Sequence, residues 1–142
     1  FLKFKKKFDA PKKIFIDRSD SVYNRCKLIN NQKVINFLEA RGFKSYQVSK
    51  LDFFEQIHLF ENADIIVGPH GAALTNIIFS KPKLKLIELI PNNHESIKCE
   101  RMSKFLNFEY TRIALDPIKP LNQKGDIKIE ISELEKIIKS KI

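Results

Sequence analysis

The chain has 142 residues, 43% of them hydrophobic and 30% charged, with 26 Lys and Arg against 17 Asp and Glu for a net charge of +9. This is the size and mix of one globular domain with a core of its own. It excludes a disordered chain, a disulfide scaffold, since Cys26 and Cys99 stand alone without a Cys-x-x-Cys, and a membrane span, since no run of about 18 apolar residues occurs. The charge favours anionic partners such as phosphate, nucleic acid or acidic lipid, although 21 of the 26 cations are Lys in a chain also rich in Ile and Asn.

The first residues, Phe1-Leu2-Lys3-Phe4-Lys5-Lys6-Lys7, open without Met and without the apolar stretch of a signal peptide. A piece of a longer protein, working in a reducing, cytoplasmic setting, is expected. Residues 1–12 read as a basic arm or linker helix ending at Pro11, and 13–142 as one domain. Ile14-Phe15-Ile16-Asp17 reads as a strand and 18–30 as a polar loop. Residues 31–41 read as a helix, with Val34, Phe37 and Leu38 at helical spacing and Gly42 as its stop. Residues 44–48 are a second strand. Asp52 and Glu55 form a capping box for a helix with Phe53, Ile57 and Phe60 on one face. Asp64 to Gly68 is a β-branched run of the kind covered on both faces in a parallel sheet. A Pro69-His70-Gly71 turn, a short buried helix over 72–79 and a fourth strand over 85–90 follow. A helix over 95–106, a strand over 108–113, a Pro-, Asn- and Gly-bearing connection over 114–126 and a short extended piece over 127–131 come next. Ser132-Glu133-Leu134-Glu135 reads as the capping box of a last helix. Strands alternating with helices about every 20 residues predict an α/β fold, a Rossmann-like open parallel sheet with helices on both faces.

The sharpest motif is Gly68-Pro69-His70-Gly71-Ala72-Ala73-Leu74-Thr75-Asn76, joining the carboxyl end of the most apolar strand to a helix start. Ligands of open α/β sheets bind at that edge, and a helix start offers unpaired N–H groups to phosphate. His70 can donate to a phosphate oxygen or transfer a proton; a turn that needs its glycines and a hydrogen-bonded His explains the loop equally well. Arg18 follows the first strand, at the same edge, and Arg25 lies in the next loop; Arg grips phosphate with a planar fork. Surface ion pairs with Asp17 or Asp20 are the alternative. Glu88 interrupts the apolar run Leu86-Ile87-Glu88-Leu89-Ile90, either as an acceptor for sugar hydroxyls or as an outward residue on a half-exposed strand.

Other chemistries lack their signatures. The four glycines build neither a dinucleotide fingerprint nor a P-loop. His58, His70 and His94 have no second ligand at metal-binding spacing along the chain, and no Gly-x-Ser-x-Gly elbow exists. His58 reads as a helix-surface or partly buried residue, and the cysteines as structural.

Taken together, Gln56, the apolar run 63–68, His70-Gly71-Ala72-Ala73-Leu74-Thr75-Asn76 and Ile87-Glu88-Leu89-Ile90-Pro91 resemble glycosyltransferase family 61. Arg18, Arg25 with Lys27, and Asn30 match the upstream part of its pattern, with Asn31 where an acidic residue is usual. The resemblance covers about residues 14–91. It implies the carboxyl-terminal, donor-binding half of a two-domain GT-B enzyme that moves a sugar from a nucleotide-diphosphate donor to a hydroxyl of a glycan or lipid-linked acceptor, as in capsular or other surface-polysaccharide synthesis. His70 would be catalytic. Arg18, Arg25, Asn30, Gly71, Ala72, Asn76 and Glu88 would bind the donor, Glu88 through ribose or sugar hydroxyls. No metal and no cofactor are expected, and the amino-terminal half of the enzyme is an expected partner. The basic arm would allow peripheral contact with the inner face of a membrane. Two other readings stay open: a GT-B-like sugar-nucleotide epimerase, and a basic nucleic-acid-binding module, for which no helix-turn-helix, zinc or RNP signature is present.

Overall fold

The computed structural model describes residues 8–21, 25–118 and 125–142. Five strands, β1 (Lys13–Ile16), β2 (Lys44–Tyr46), β3 (Ile65–Pro69), β4 (Lys85–Pro91) and β5 (Glu109–Leu115), form one parallel sheet in the order β2-β1-β3-β4-β5. Helices α1 (Asn31–Glu39), α2 (Phe53–Asn62), α3 (Lys98–Leu106) and α4 (Ile131–Lys141), with a 3-10 helix over Ala72–Phe79, cover both faces. This is the expected Rossmann-like α/β class.

The period of two along each strand divides the core. Phe15, Val67, Ile87 and Leu89 face α1 and α4, meeting Val34, Leu38, Leu134 and Ile138. Ile14, Ile16, Ile66 and Leu86 face the other way, onto Leu59 and Phe60 of α2, Leu74 and Ile77 of the 3-10 helix and Cys99 of α3. Strands buried on both faces explain the unbroken apolar runs.

Local signals mostly set the boundaries. Asp52 accepts from the Glu55 amide at 2.9 Å and Glu55 returns the bond at 2.8 Å, completing the capping box. Gly42 takes φ +83°, the left-handed turn that ends α1 before β2. Other boundaries differ from the expectation. The helix over 72–79 is 3-10, and its three-residue period buries Leu74 and Ile77 while Ile78 stays 58% exposed. Helix α3 starts only at Lys98, because the Arg112 guanidinium bonds the carbonyls of His94 and Ser96 and holds 92–97 as a loop. Helix α4 starts at Ile131, not after Ser132, and has no side-chain cap: Ile127 and Ile129 are fully buried, and the Glu130 carbonyl already takes the Glu133 and Leu134 amides. The extended piece over 127–131 pairs with Leu28 through a single parallel bridge at Ile127.

Of the basic arm, residues 1–7 lie outside the described residues, as do 119–124 of the connection before α4. Phe8 packs on Tyr46 and His58, and its carbonyl accepts from His58 Nε2 at 3.0 Å. Among the described residues no helix is long and apolar enough to cross a membrane.

Candidate functional site

The strand order places a switch point between β1 and β3. From β1 the chain crosses by α1 on one face to β2, and from β3 it leaves by the opposite face to β4. The crevice above such a point, at the carboxyl ends of the strands, is where open α/β sheets bind ligands. The residues just beyond β1 and β3 are Arg18 and His70.

Alternation brings these two together. Ile14, Ile16 and then Arg18 project to one face of the sheet, and Ile66, Gly68 and then His70 to the same face. A β-carbon at Gly68 would lie 2.9 Å from Cβ of Ile16, so glycine there is what permits β1 and β3 to pair this closely. The guanidinium of Arg18 lies flat against Gly71 and donates to the His70 carbonyl; a β-carbon at Gly71 would sit 2.6 Å from its Nε. Gly71 is extended (φ 166°), so it is the space, not the torsion, that requires glycine. Arg18 also donates to the Arg25 carbonyl at 3.3 Å and to Ser21 Oγ at 3.4 Å. Burial lowers its pKa, with Cys26 and Asp20 acting in the opposite sense. It stays a cation, and its hydrogen-bond partners among the described residues are neutral oxygens.

A second cation reaches the same turn. Lys98, the first residue of α3, donates to Thr75 Oγ1 at 3.1 Å and to the Gly71 carbonyl at 3.5 Å. Sequence reading did not single it out, because a lysine 27 residues from its glycine carries no local signal. Two cations held at one glycine by neutral oxygens form a place for an anionic group.

Behind the turn lies a buried acid. Glu88 is 1% exposed, so the outward, half-exposed alternative does not hold. Its Oε1 meets His70 Nδ1 at 2.5 Å and its Oε2 accepts from Tyr110 at 2.5 Å. Burial on its own would raise this carboxyl, but the hydrogen bonds from His70 and Tyr110 outweigh it and hold the group below its ordinary range. The Tyr110 hydroxyl is pushed up by burial and by Glu88. Cys99 is pushed up to about 12 by burial and by the charge and hydrogen bond of Glu88, and so remains a thiol. Both carboxylate oxygens are bonded to side chains inside the protein, so Glu88 is turned inward onto His70 and Tyr110. His70 Nδ1, Glu88 and Cys99 also form a donor set within 4.8 Å, which spacing along the chain hid because three elements supply one member each. A cation there would have to displace the proton of Cys99 and the bond from Tyr110.

The remaining candidates lie around this centre. His94 stacks on His70 with ring centroids 4.3 Å apart. Asn76 donates to Gln56 Oε1 at 3.0 Å, and Gln56 donates to the Leu51 and Val48 carbonyls, so this pair braces α2 against the turn. Ala72 opens the 3-10 helix and is exposed. Arg25 is exposed and offers Arg18 its carbonyl. Asn30 points elsewhere: its side chain bonds the carbonyl of Ile129 at 2.7 Å and joins the loop before α1 to the segment before α4. Asp17 stays beside the site without pairing Arg18, accepting instead from Asn31 and Gln47. Cys26 and Cys99 are buried free thiols.

Known proteins are similar to this chain over part of its length. The EGF domain-specific O-linked N-acetylglucosamine transferase of Gallus gallus is 33% identical over 78 residues, 55% of this chain and 14% of that protein. The enzyme of the same name from Mus musculus is 32% identical over 78 residues, again 55% and 14%. The beta-1,2-xylosyltransferase of Arabidopsis thaliana is 28% identical over 86 residues, 61% of this chain and 15% of its own length. The matched stretch is thus about one seventh of these relatives. The family model Glycosyltransferase 61 matches residues 2–87, more than half of the chain. That span holds Arg18, the β1–β3 switch point and the whole His70-Gly71 turn, and with it the chain belongs to the glycosyltransferase 61 family.

Proposed function

We propose that this chain is the donor-binding half of a GT-B glycosyltransferase. It holds a nucleotide-diphosphate sugar at the β1–β3 switch point and supports transfer of the sugar to a hydroxyl acceptor. The observation that carries the reading is the Arg18 guanidinium seated on Gly71, with Lys98 reaching the same residue. Two phosphates would meet two cations and the turn between them. As the diphosphate departs it gains charge, and groups fixed in place beforehand stabilise that charge without reorganising. The matched relatives are named for two different sugars, N-acetylglucosamine and xylose. A stretch common to them suits the shared part of a donor, the nucleotide diphosphate, better than the sugar.

The acceptor in this reading is a glycan or lipid-linked hydroxyl of a surface polysaccharide, and the missing half of the enzyme would present it. No metal or cofactor takes part, since Arg18 and Lys98 supply the charge that a cation would otherwise bring. The protein would work in the cytoplasm, with peripheral contact to the inner face of a membrane through its basic arm. Calorimetric titration of the chain with UDP, GDP, ADP and CMP tests the reading. One diphosphate should bind saturably, with affinity about tenfold lower in Arg18→Met, the loss of one charge-assisted contact. A folded chain that binds none of the four contradicts it.

A further inference from the structure

We infer that Glu88 is a positioning residue, which fixes His70 as the proton acceptor for the hydroxyl that attacks the donor. The inference rests on the donor-binding reading above. It differs from the role that the family resemblance gives Glu88, contact with the donor's hydroxyls.

Three adjacent strands build the arrangement on one face of the sheet. His70 extends the side-chain row of Ile66 and Gly68 beyond β3. Glu88 of β4 stands opposite Gly68 in the register, where no side chain intervenes. Tyr110 of β5 belongs to the same row as Arg112, the register partner of Glu88. Glu88 Oε1 is 2.5 Å from His70 Nδ1, and Oε2 is held by Tyr110, with Cys99 of α3 beside it. The carboxylate is therefore locked from behind, and it can accept from Nδ1 only if Nδ1 carries the proton. Nε2 is then the basic nitrogen, and it has no hydrogen-bond partner among the described residues. A base oriented by a buried carboxylate on its far nitrogen is the logic of nucleophile-activating triads. The charged and titratable groups around the ring are Glu88, Tyr110 and Cys99 behind it, with Arg112 beside Tyr110 and Cys99, His94 stacked on it, and Arg18 and Lys98 at the turn.

The step balances with these groups alone. The acceptor O–H bond breaks as its proton passes to Nε2, and the resulting imidazolium is stabilised by Glu88. The hydroxyl oxygen forms a bond to the anomeric carbon. The bond from that carbon to the diphosphate oxygen breaks, and the diphosphate leaves with the electron pair, its charge met by Arg18 and Lys98.

Nitrogen NMR of the chain labelled in its three histidines tests the inference without any ligand. Recorded at a pH where the spectrum itself shows the ring with a single proton, His70 should have Nδ1 protonated and Nε2 bare. In Glu88→Leu, checked for folding by its amide spectrum, that pattern should give way to the Nε2–H form or to a mixture. Tyr110→Phe, which keeps the carboxylate, should retain it. An Nε2–H ring in the unaltered chain overturns the inference whether or not the Leu variant folds. So does an Nδ1–H ring that persists in a folded Glu88→Leu. If the Leu variant does not fold, an Nδ1–H ring in the unaltered chain and in Tyr110→Phe supports it. A chain that shows the expected tautomer and binds no diphosphate overturns the donor reading and leaves the His70–Glu88 pairing standing.

Discussion

Gly71 and Arg18 show how much one absent methyl group decides. The guanidinium occupies the volume that a β-carbon would need, so Gly71→Ala should push it off the turn while leaving both cores intact. The expected result is diphosphate affinity about tenfold weaker with a thermal midpoint close to that of the unaltered chain, read by calorimetry and by a melting scan. Both residues stand out in the sequence, Arg18 as one of five arginines and Gly71 as one of four glycines. Their contact is readable only in retrospect, from the alternation that carries Ile16 to Arg18 and Gly68 to His70 onto one face. Lys98 and Tyr110 could not be found in this way. Each reaches the site through a partner 22 or more residues away, and nothing in their own neighbourhood separates them from the other lysines and tyrosines.

The elements repeat the division between local and distant causes. Helix α2 starts where the chain says it should, because Asp52 and Glu55 satisfy two backbone donors within one turn. Asp52→Ala should therefore cost about 0.5–2 kcal/mol, measured by urea denaturation, with a smaller loss for Glu55→Ala. Gly68 acts between elements. Gly68→Ala should force β1 and β3 apart at Ile16 and cost about 1–3 kcal/mol, read by the same urea denaturation. Where the starts of α3 and α4 depart from the sequence signals, the cause is tertiary. Arg112 reaches back from β5 to pin 92–97, and the buried Ile127 and Ile129 fix the chain ahead of α4. A capping motif gives way when packing has already supplied the partners of the backbone.

At the scale of the whole molecule, the buried acid ties stability to pH. The folded pKa of Glu88 lies below its ordinary 4.5, so the ionised group contributes stability that is fully present above that value. The contribution is lost as the pH falls through the lower folded value. Denaturation midpoints measured from about pH 6 down to pH 3 should fall more steeply for the unaltered chain than for Glu88→Gln, whatever the Gln variant's stability at neutral pH. A Gln variant with the same acid slope would show that other carboxylates dominate.

The sequence by itself determined the α/β class, the parallel sheet, the capping box of α2, the turn at 68–76 and the family to which that turn belongs. Those features are written in near neighbours, in periods of two and of three to four, and in one contiguous motif. Only the tertiary structure decided that Glu88 is turned inward onto His70, that Lys98 joins Arg18 at Gly71, that Asn30 serves the segment before α4, and that a His, Glu and Cys donor set exists. The inward turn of Glu88 onto His70 depends on strand order, and the others on how loops and helices pack on the sheet. A β2-β1-β3-β4-β5 sheet brings together residues 18 and 70, 70 and 88, and 88 and 110, and no periodicity along a single chain records which strands will be neighbours.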